Sequence, residues 1–345
     1  MITGSTPPTS KTEYYDNGEF LWASPADLGN VKDVISTKTK LSQQGFDKCR
    51  KIPAHSILVT CIGSTIGKMG MATTEMATNQ QINSIIPIDC NPDYVYYSIQ
   101  SRFPKYITSI ATQAVPILSK SVFESLDSYK TSIEEQNKIG KLLHLLDERI
   151  DAQSKIIEEQ ETLLRSLRHK IYSKVQAESQ RTIADVLCYE QPTKYLVTDT
   201  DYTDDDSQVP VLTANKAFIL GYTTENFGIY DKGPCIILDD FTLDCKYVDF
   251  KFKVKSSAIK ILRAKAKNNL RFIFEYFRFL ELNTTEHRRH YIAEIEPMSI
   301  LLPSNEEIDR IARLFTALDE RLEAARKVLK ILESQKMYML QKMFI

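Results

Sequence analysis

Two stretches of this chain carry the same helical signature at a fixed offset. Glu134-Glu135 opens a run that contains Leu146-Asp147-Glu148-Arg149-Ile150 and reaches Tyr172. Glu306-Glu307 opens a second run that contains Leu318-Asp319-Glu320-Arg321-Leu322 and reaches Phe344. Each step of the first run lies 172 residues before its partner, half of the 345-residue chain. That period is far above the roughly 20–50 residues of a solenoid repeat. It predicts two tandem units, each a globular domain followed by a long helix. The expected segments are a domain over 1–133, a helix over 134–178, a domain over 179–304 and a helix over 305–345.

The apolar spacing supports the helices. Ile139, Leu142, Leu146, Ile150, Ile157, Leu164, Leu167 and Ile171 recur at steps of three, four or seven, the seam of a long amphipathic helix. Ser132 followed by Glu135 has capping-box spacing at its start. Gln153 and Gln160 interrupt the seam, where polar residues can fix register. In the second run Ile308, Ile311, Phe315, Leu318, Leu322, Val328 or Leu329, Leu332, Met339 and Met343 repeat the pattern. About 40 residues at 1.5 Å each span roughly 60 Å. One such helix cannot bury its stripe alone, and its natural partner is the other copy. The pairing expected is an antiparallel coiled coil that sets Leu142, Leu146, Ile150, Ile157 and Leu164 against Leu318, Leu322, Leu329 and Leu332. It would relate the two domains by a pseudo-twofold axis and hold them at a fixed spacing. Such a caliper suits double-stranded DNA, a pseudo-twofold rod, or equally a scaffold for two partner subunits.

Both domains read as mixed α/β with antiparallel strands, so the class is α+β. Ser56–Gly63 and the segment around Ile82–Ile88 read as strands, and Val95–Ile99 begins a helix. Cys235–Leu238 is a buried strand ending in Asp239-Asp240, and Asn269–Leu282 a helix. Tyr247–Lys255 alternates apolar and polar, which predicts one half-buried strand with its lysines on one face. No apolar run reaches the length of a membrane helix, and the start lacks a signal peptide's pattern. Six cysteines without a C-x-x-C pair read as reduced thiols of a cytoplasmic protein, with no zinc site.

A net charge of −1 decides nothing about nucleic acid. The local pattern says more: nine Lys/Arg against one acid, Asp249, between Lys246 and Arg271. Such a stripe is either a phosphate-binding surface or a solvated lysine-rich face. Gly63-Ser64-Thr65-Ile66-Gly67-Lys68 has three residues between its glycines and Met69 after the lysine. A Walker loop needs four and a Ser or Thr, so the segment reads as a turn whose N–H groups and Lys68 could meet phosphate. Asn79-Gln80 could read adenine bidentately, and His287-Arg288-Arg289-His290-Tyr291 could fork onto guanine or clamp phosphate. Asp240, Asp244 and Lys246 loosely resemble a metal-dependent nuclease core. No methyltransferase motif and no nucleophilic triad appears.

The residues that carry a family resemblance come in order along the chain. They are Gly4-Ser5-Thr6-Pro7, Tyr14-Tyr15 with Gly18 and Trp22, Gly63 to Lys68, Asn79-Gln80, Ile133 to Ile139 and Leu146-Asp147 in the first half. In the second half they are Gln191 to Tyr195, Pro210 to Ala214, Gly221-Tyr222-Thr223, Asp239 to Thr242, Phe252 to Ala258, His287 to Tyr291 and Lys336 to Phe344. The chain resembles the DNA-specificity subunit of type I restriction–modification systems. The resemblance implies two target-recognition domains that read the halves of a bipartite, asymmetric site. It implies conserved helices that set the spacer and carry two methyltransferase subunits, with restriction/translocase subunits in the full complex. No catalysis and no cofactor would belong to this chain. S-adenosylmethionine, ATP and magnesium would serve the partner subunits. Two departures stand out: the chain begins at Met1-Ile2-Thr3-Gly4, about a dozen residues short of the family's usual start, and Ile308 replaces a glutamine.

The residues expected at DNA are Ser64, Thr65, Lys68, Asn79 and Gln80 in the first domain. In the second, Lys253, Lys255, Lys260 and Arg263 are expected at phosphate, and His287, Arg288 and Arg289 at phosphate or base edges. The competing functions are a coiled-coil adaptor without sequence-specific DNA binding and the metal-dependent nuclease.

Overall fold

The computed structural model describes all residues except 30, 109–115, 129, 214–216, 266–269, 285, 287 and 345. They form two compact units, Met1–Ile156 with Arg326–Ile345, and Ile157–Ala325. Each is a mixed α+β domain completed by segments of both long helices, Ile133–Tyr172 and Asn305–Met343. Both helices start on the same device. The Ser132 hydroxyl accepts the Glu135 N–H (3.3 Å) and the Ser304 hydroxyl accepts the Glu307 N–H (3.2 Å), so the duplication extends to the cap.

The first unit is centred on a five-stranded sheet. Its order is Ile2–Thr3, Ile82–Ile85, Ile57–Thr60, Met69–Ala72, Asp33–Val34, antiparallel except at the last pair. All four residues of Ile57–Thr60 are buried, because this unalternating apolar strand is covered on both faces. Ile57 and Val59 pack with Tyr94, Tyr97 and Leu143, whereas Leu58 packs with Ala23, Leu28 and Met76. A second sheet orders Thr39–Leu41, Phe20–Ala23, Met76–Thr78 and Lys51–Ile52. The helix expected around Val95 runs over Pro92–Thr108.

Within this unit the long helices run antiparallel. Ile139 and Leu143 cluster with Met339, Leu340, Met343 and Phe344, while Asp147, two turns further on, pairs with Lys336 at 2.5 Å. Leu146 is buried and Ile150 and Leu329 are half-buried; Leu332 is buried. Leu142 departs from the expected seam. It is 42% exposed, and Leu143 is fully buried in its place. The helix packs against Pro92–Thr108 as well as against its long partner, which rotates the buried face toward Gln136, Gly140 and Leu143.

Gly140 sits at the tightest approach on that face. A Cβ there would lie 2.7 Å from Asn91 Oδ1, 3.0 Å from Asp93 Cβ and 3.1 Å from Tyr94 N. Asn91 cannot step aside freely, since its Oδ1 accepts the Tyr94 N–H and its Nδ2 donates to Asn137. Helix propensity alone favours Gly→Ala by about 1 kcal/mol. Overpacking costs typically about 1–3 kcal/mol, so Gly140→Ala is expected to destabilise on balance. A denaturation midpoint at or above that of the unaltered chain would refute this packing argument.

The second unit contains a four-stranded antiparallel sheet ordered Leu187–Glu190, Ile259–Ala264, Cys235–Asp239, Cys245–Val248. A three-stranded sheet orders Ile219–Thr223, Val209–Leu212, Lys253–Val254, and Ser179–Thr182 pairs with Ser299–Leu302. The run expected as one strand over Tyr247–Lys255 is thus broken, since Cys245–Val248 and Lys253–Val254 belong to different sheets. Phe252, Lys253 and Val254 are all buried, so the alternation did not mark one wet face.

The long helices pair antiparallel here too. The Tyr172 ring stacks on Phe315 (6.4 Å) and Phe279 (5.7 Å), Arg168 lies over Phe315, and Ile157, Leu164, Leu318 and Leu322 join the same core. The repeated Leu-Asp-Glu-Arg gains a physical meaning from these packings. Asp147 accepts the Tyr97 hydroxyl (2.7 Å) and pairs with Lys336; Asp319 pairs with Arg271 and, at 3.9 Å, with Arg278. In each unit this aspartate anchors a helix surface to its own domain. The copies differ at Gln136 and Ile308. Gln136 is buried between the Asn91 N–H and the Thr131 carbonyl, whereas Ile308 is buried within the apolar cluster of the second unit.

Candidate nucleic-acid interface

In the first unit the two expected segments lie side by side. The turn from Gly63 to Lys68 links strands Ile57–Thr60 and Met69–Ala72, with Gly63 and Gly67 at φ of +93° and +91°. Positive φ favours glycine, and at Gly67 a side chain would also strike the Phe103 ring at 2.9 Å. The turn leads into a strand rather than a helix, so it lacks the helix N-terminus of a phosphate loop. Beside it runs the Asn79–Gln81 turn, where the Cys61 N–H donates to Gln81 O (2.8 Å) and Gln81 Nε2 reaches Ile62 O (3.5 Å).

The side-chain oxygens of Asn79 and Gln80 are both occupied. Asn79 Oδ1 accepts the Gln81 N–H at 2.8 Å, and Gln80 Oε1 accepts the Thr6 hydroxyl. Among the described residues the amide nitrogens of Asn79, which is half-buried, and Gln80, which is exposed, make no hydrogen bond. Ser64 and Gln80 are exposed, Thr65 and Lys68 half-buried. The stem of Lys68 packs over Gly29, where a Cβ would come within 3.0 Å of it. Thr6 was part of the family pattern but not among the expected contacts; it positions Gln80 from a segment clamped on Thr78 and Ile82 by the Ser5 and Gly4 N–H groups.

The cations expected in the second unit separate into three groups. Lys253 and Lys260 are buried and already paired, which removes them from any phosphate surface. Lys253 Nζ pairs with Glu225, donates to Phe227 O (2.8 Å) and lies 4.2 Å above the Phe227 ring. The hydrogen bond from Lys253, then that from the Thr198 hydroxyl, holds the Glu225 carboxyl down at about 2. Lys260 Nζ sits 3.2 Å from Asp240 and 4.5 Å above the Tyr189 ring. A charge buried in such a pair is a structural element, and chain position alone could not tell it from a surface lysine.

Lys255 and Arg289 are exposed. Arg288 is exposed and paired with Glu286 and Glu294. His287 lies outside the described residues. Beside Arg288 and Arg289, Asp240 Oδ1 accepts the N–H groups of His290 (3.1 Å) and Tyr291 (2.9 Å). His290 is buried beneath it, with Nδ1 3.0 Å from Glu294 and Nε2 3.2 Å from the Glu286 carbonyl. That carbonyl, and then Glu294, raises the imidazole above its ordinary 6.5. Arg263 stands apart, at the Cys235 end of the sheet, 3.8 Å from Glu190. It lines a cleft with Lys232 and Arg313. Neither of these carried a signal in the sequence, because one sits in a turn and the other on the polar face of a long helix.

The nuclease grouping dissolves for the same reason. Both Asp240 oxygens are filled by two N–H groups and Lys260, and Asp239 Oδ1 accepts from Phe241 and Thr242. Asp244 pairs with Lys246 at the surface. Among the described residues there is no group of three or more His, Cys, Asp or Glu that could hold a metal, and no helix is long and apolar enough to cross a membrane.

Comparison with known proteins bears on this geometry. A family model described as the type I restriction modification DNA specificity domain matches residues 1–162. Over 158 residues the chain is 42% identical to the type I restriction enzyme EcoR124I/EcoR124II specificity subunit of Escherichia coli, covering 41% of this chain and 39% of that one. Over 161 residues it is 29% identical to the MjaIX specificity subunit of Methanocaldococcus jannaschii, covering 45% and 37%. The matches span about two fifths of these curated relatives. In fold, the crystal structure of a type I restriction–modification S subunit from M. genitalium aligns with 100% of this chain and 93% of its own, at a TM-score of 0.69 and 14% identity.

Proposed function

We propose that this chain, whose residues 1–162 match the type I restriction modification DNA specificity domain and whose fold is similar over its length to that of a type I S subunit, is the non-catalytic DNA-reading subunit of such a complex. Its target-recognition domains, over 1–133 and 179–304, each read one half of a bipartite, asymmetric site. The observation that carries this reading is the pairing of like helices with unlike heads. Both units fix their helices through the same aspartate and the same serine cap, yet their exposed donors differ. The first exposes the Ser64 hydroxyl and the Gln80 amide beside half-buried Asn79; the second exposes Lys255 and Arg289, with Arg288 paired to Glu286 and Glu294. Two different readers on a repeated frame suit an asymmetric target.

Methyltransferase subunits would dock on the helices. Leu142 and Ile156 are exposed on the first long helix, and the residues 172 later, Leu314 and Val328, are exposed on the second. Repeated exposed apolar positions support a partner that engages both copies. Adenine methylation with S-adenosylmethionine, and cleavage with ATP and magnesium, would belong to those partners in the cytoplasm. Co-expression with the neighbouring methyltransferase followed by mapping of methylated adenines tests the function. The expected result is a two-part motif with a fixed unread spacer; a continuous motif, or none, overturns it.

A further inference from the structure

The second unit contains an open cleft that the expected contacts do not account for. Among the described residues it is lined by Lys232, Arg263, Arg271 and Arg313 against one acid, Asp309, with Tyr247 on its wall. Arg271 is committed to Glu275 and Asp319. The other three are not fully neutralised. Lys232 (2.5 Å) and Arg263 (3.8 Å) share one carboxylate, Glu190, which also accepts the Tyr195 hydroxyl at 2.6 Å. Arg313 is exposed, and its Nε reaches only the Asp309 carbonyl at 3.3 Å. Glu190 therefore aims two cations while cancelling about one charge, and the cleft keeps a positive surplus.

Leu270 and Arg271, described residues of the helix Leu270–Leu280, line the cleft. One further feature favours an anion. At the rim, Gly233 has φ of +84°, and a Cβ there would meet nothing within 4 Å, so backbone can be approached closely. Guanidinium and ammonium groups around an open, solvent-facing cleft match a phosphodiester better than a small buried anion. The cleft stands at the Cys235 end of the sheet, whereas Asp240 and its arginine segment stand at the Asp239 end. It is therefore a separate contact. The first helix also carries a cation at the matching repeat position, since Lys141 lies 172 residues before Arg313.

We propose that this cleft seats the sugar–phosphate backbone of duplex DNA, held by Lys232, Arg263 and Arg313, so that the second long helix touches DNA directly as well as spacing the readers. The proposal rests on the DNA-reading function above. The test uses the full chain and two duplexes, one with the mapped motif and one scrambled, titrated across roughly 50–200 mM salt, where phosphate contacts dominate the dependence. Arg313→Gln is expected to weaken both duplexes by the same factor and to reduce the salt slope by about one. Arg313→Lys should restore most of the loss, and the methylated motif should stay unchanged. Lys330→Gln, the same charge change at an exposed site outside the cleft, should do neither. An unchanged slope in R313Q, an equal effect from K330Q, or a relaxed motif would each overturn the seat. So would displacement of the duplex by low-millimolar inorganic phosphate, which would assign the cleft to a free anion. If the unaltered chain bound both duplexes alike, the function above would fail while the R313Q slope still judged the cleft.

Discussion

Glu275→Ala is expected to destabilise the second unit by about 3–5 kcal/mol, the usual consequence of stranding a buried charge. Glu275 is fully buried, and its two oxygens accept from Arg168 Nε (2.8 Å) and Arg271 Nη2 (2.8 Å). Arg168 is itself buried, lies over the Phe315 ring and has a second nitrogen, Nη2, without a partner. Without the carboxylate, that guanidinium would sit uncompensated between the first long helix and Leu270–Leu280. Glu275→Gln should cost less, since it keeps the shape and one acceptor. Combining Glu275→Ala with Arg168→Met should recover part of the loss, because an apolar replacement of both partners removes the stranded charge. The single tryptophan, Trp22, belongs to the first unit. Its fluorescence is therefore the wrong probe; amide protection over 157–325 reads the second unit directly, and Trp22 then reports whether the first follows. Unchanged protection in E275A would remove the network from the forces that hold helix to domain.

The helices were legible in the sequence because periodicity and duplication are properties of the chain itself. Their start at a capping serine and the antiparallel pairing inside each unit follow from the spacing of a few residues. What spacing could not supply was the third neighbour. Leu142 fits the seam as well as Leu143 does until Pro92–Thr108 is packed beside it. The site was legible in part. Asn79, Gln80 and the Gly63–Lys68 turn are close because two strand ends of one sheet bring them together, and glycine spacing marks such turns. The basic stripe misled because burial is decided by partners far along the chain. Glu225 buries Lys253, and Asp240 buries Lys260, and neither acid could be matched to its lysine beforehand. The cleft cations come from a turn, a strand and a long helix, so their meeting has no local signature.

Asp240→Ala should separate stability from reading in the second domain. Its carboxylate holds the N–H groups of His290 and Tyr291 and the ammonium of Lys260 within one buried pocket. Removing it leaves a buried cation unpaired, which costs about 3–5 kcal/mol, and two backbone donors unmet. Asp240→Asn retains an acceptor for the N–H groups but not the charge for Lys260, so it should fall between. The segment carrying Arg288 and Arg289 loses its anchor in D240A. On the proposed function, the methyltransferase complex assembled on a variant that remains folded should then methylate sites that keep the first half-motif and have relaxed the second. His290 provides an independent readout. Its raised proton affinity depends first on the Glu286 carbonyl and then on Glu294. A group raised in this way stabilises the fold fully below its unfolded value near 6.5, and the contribution fades as pH rises through the folded value. With its backbone anchor gone, D240A is expected to release His290 from Glu286 and Glu294, so the stability gap to the unaltered chain should be widest in mild acid and narrow toward alkaline pH. A folded D240A that keeps both halves of the motif would show that the Arg288–Arg289 segment does not read DNA, and would place the second domain's specificity elsewhere on its surface.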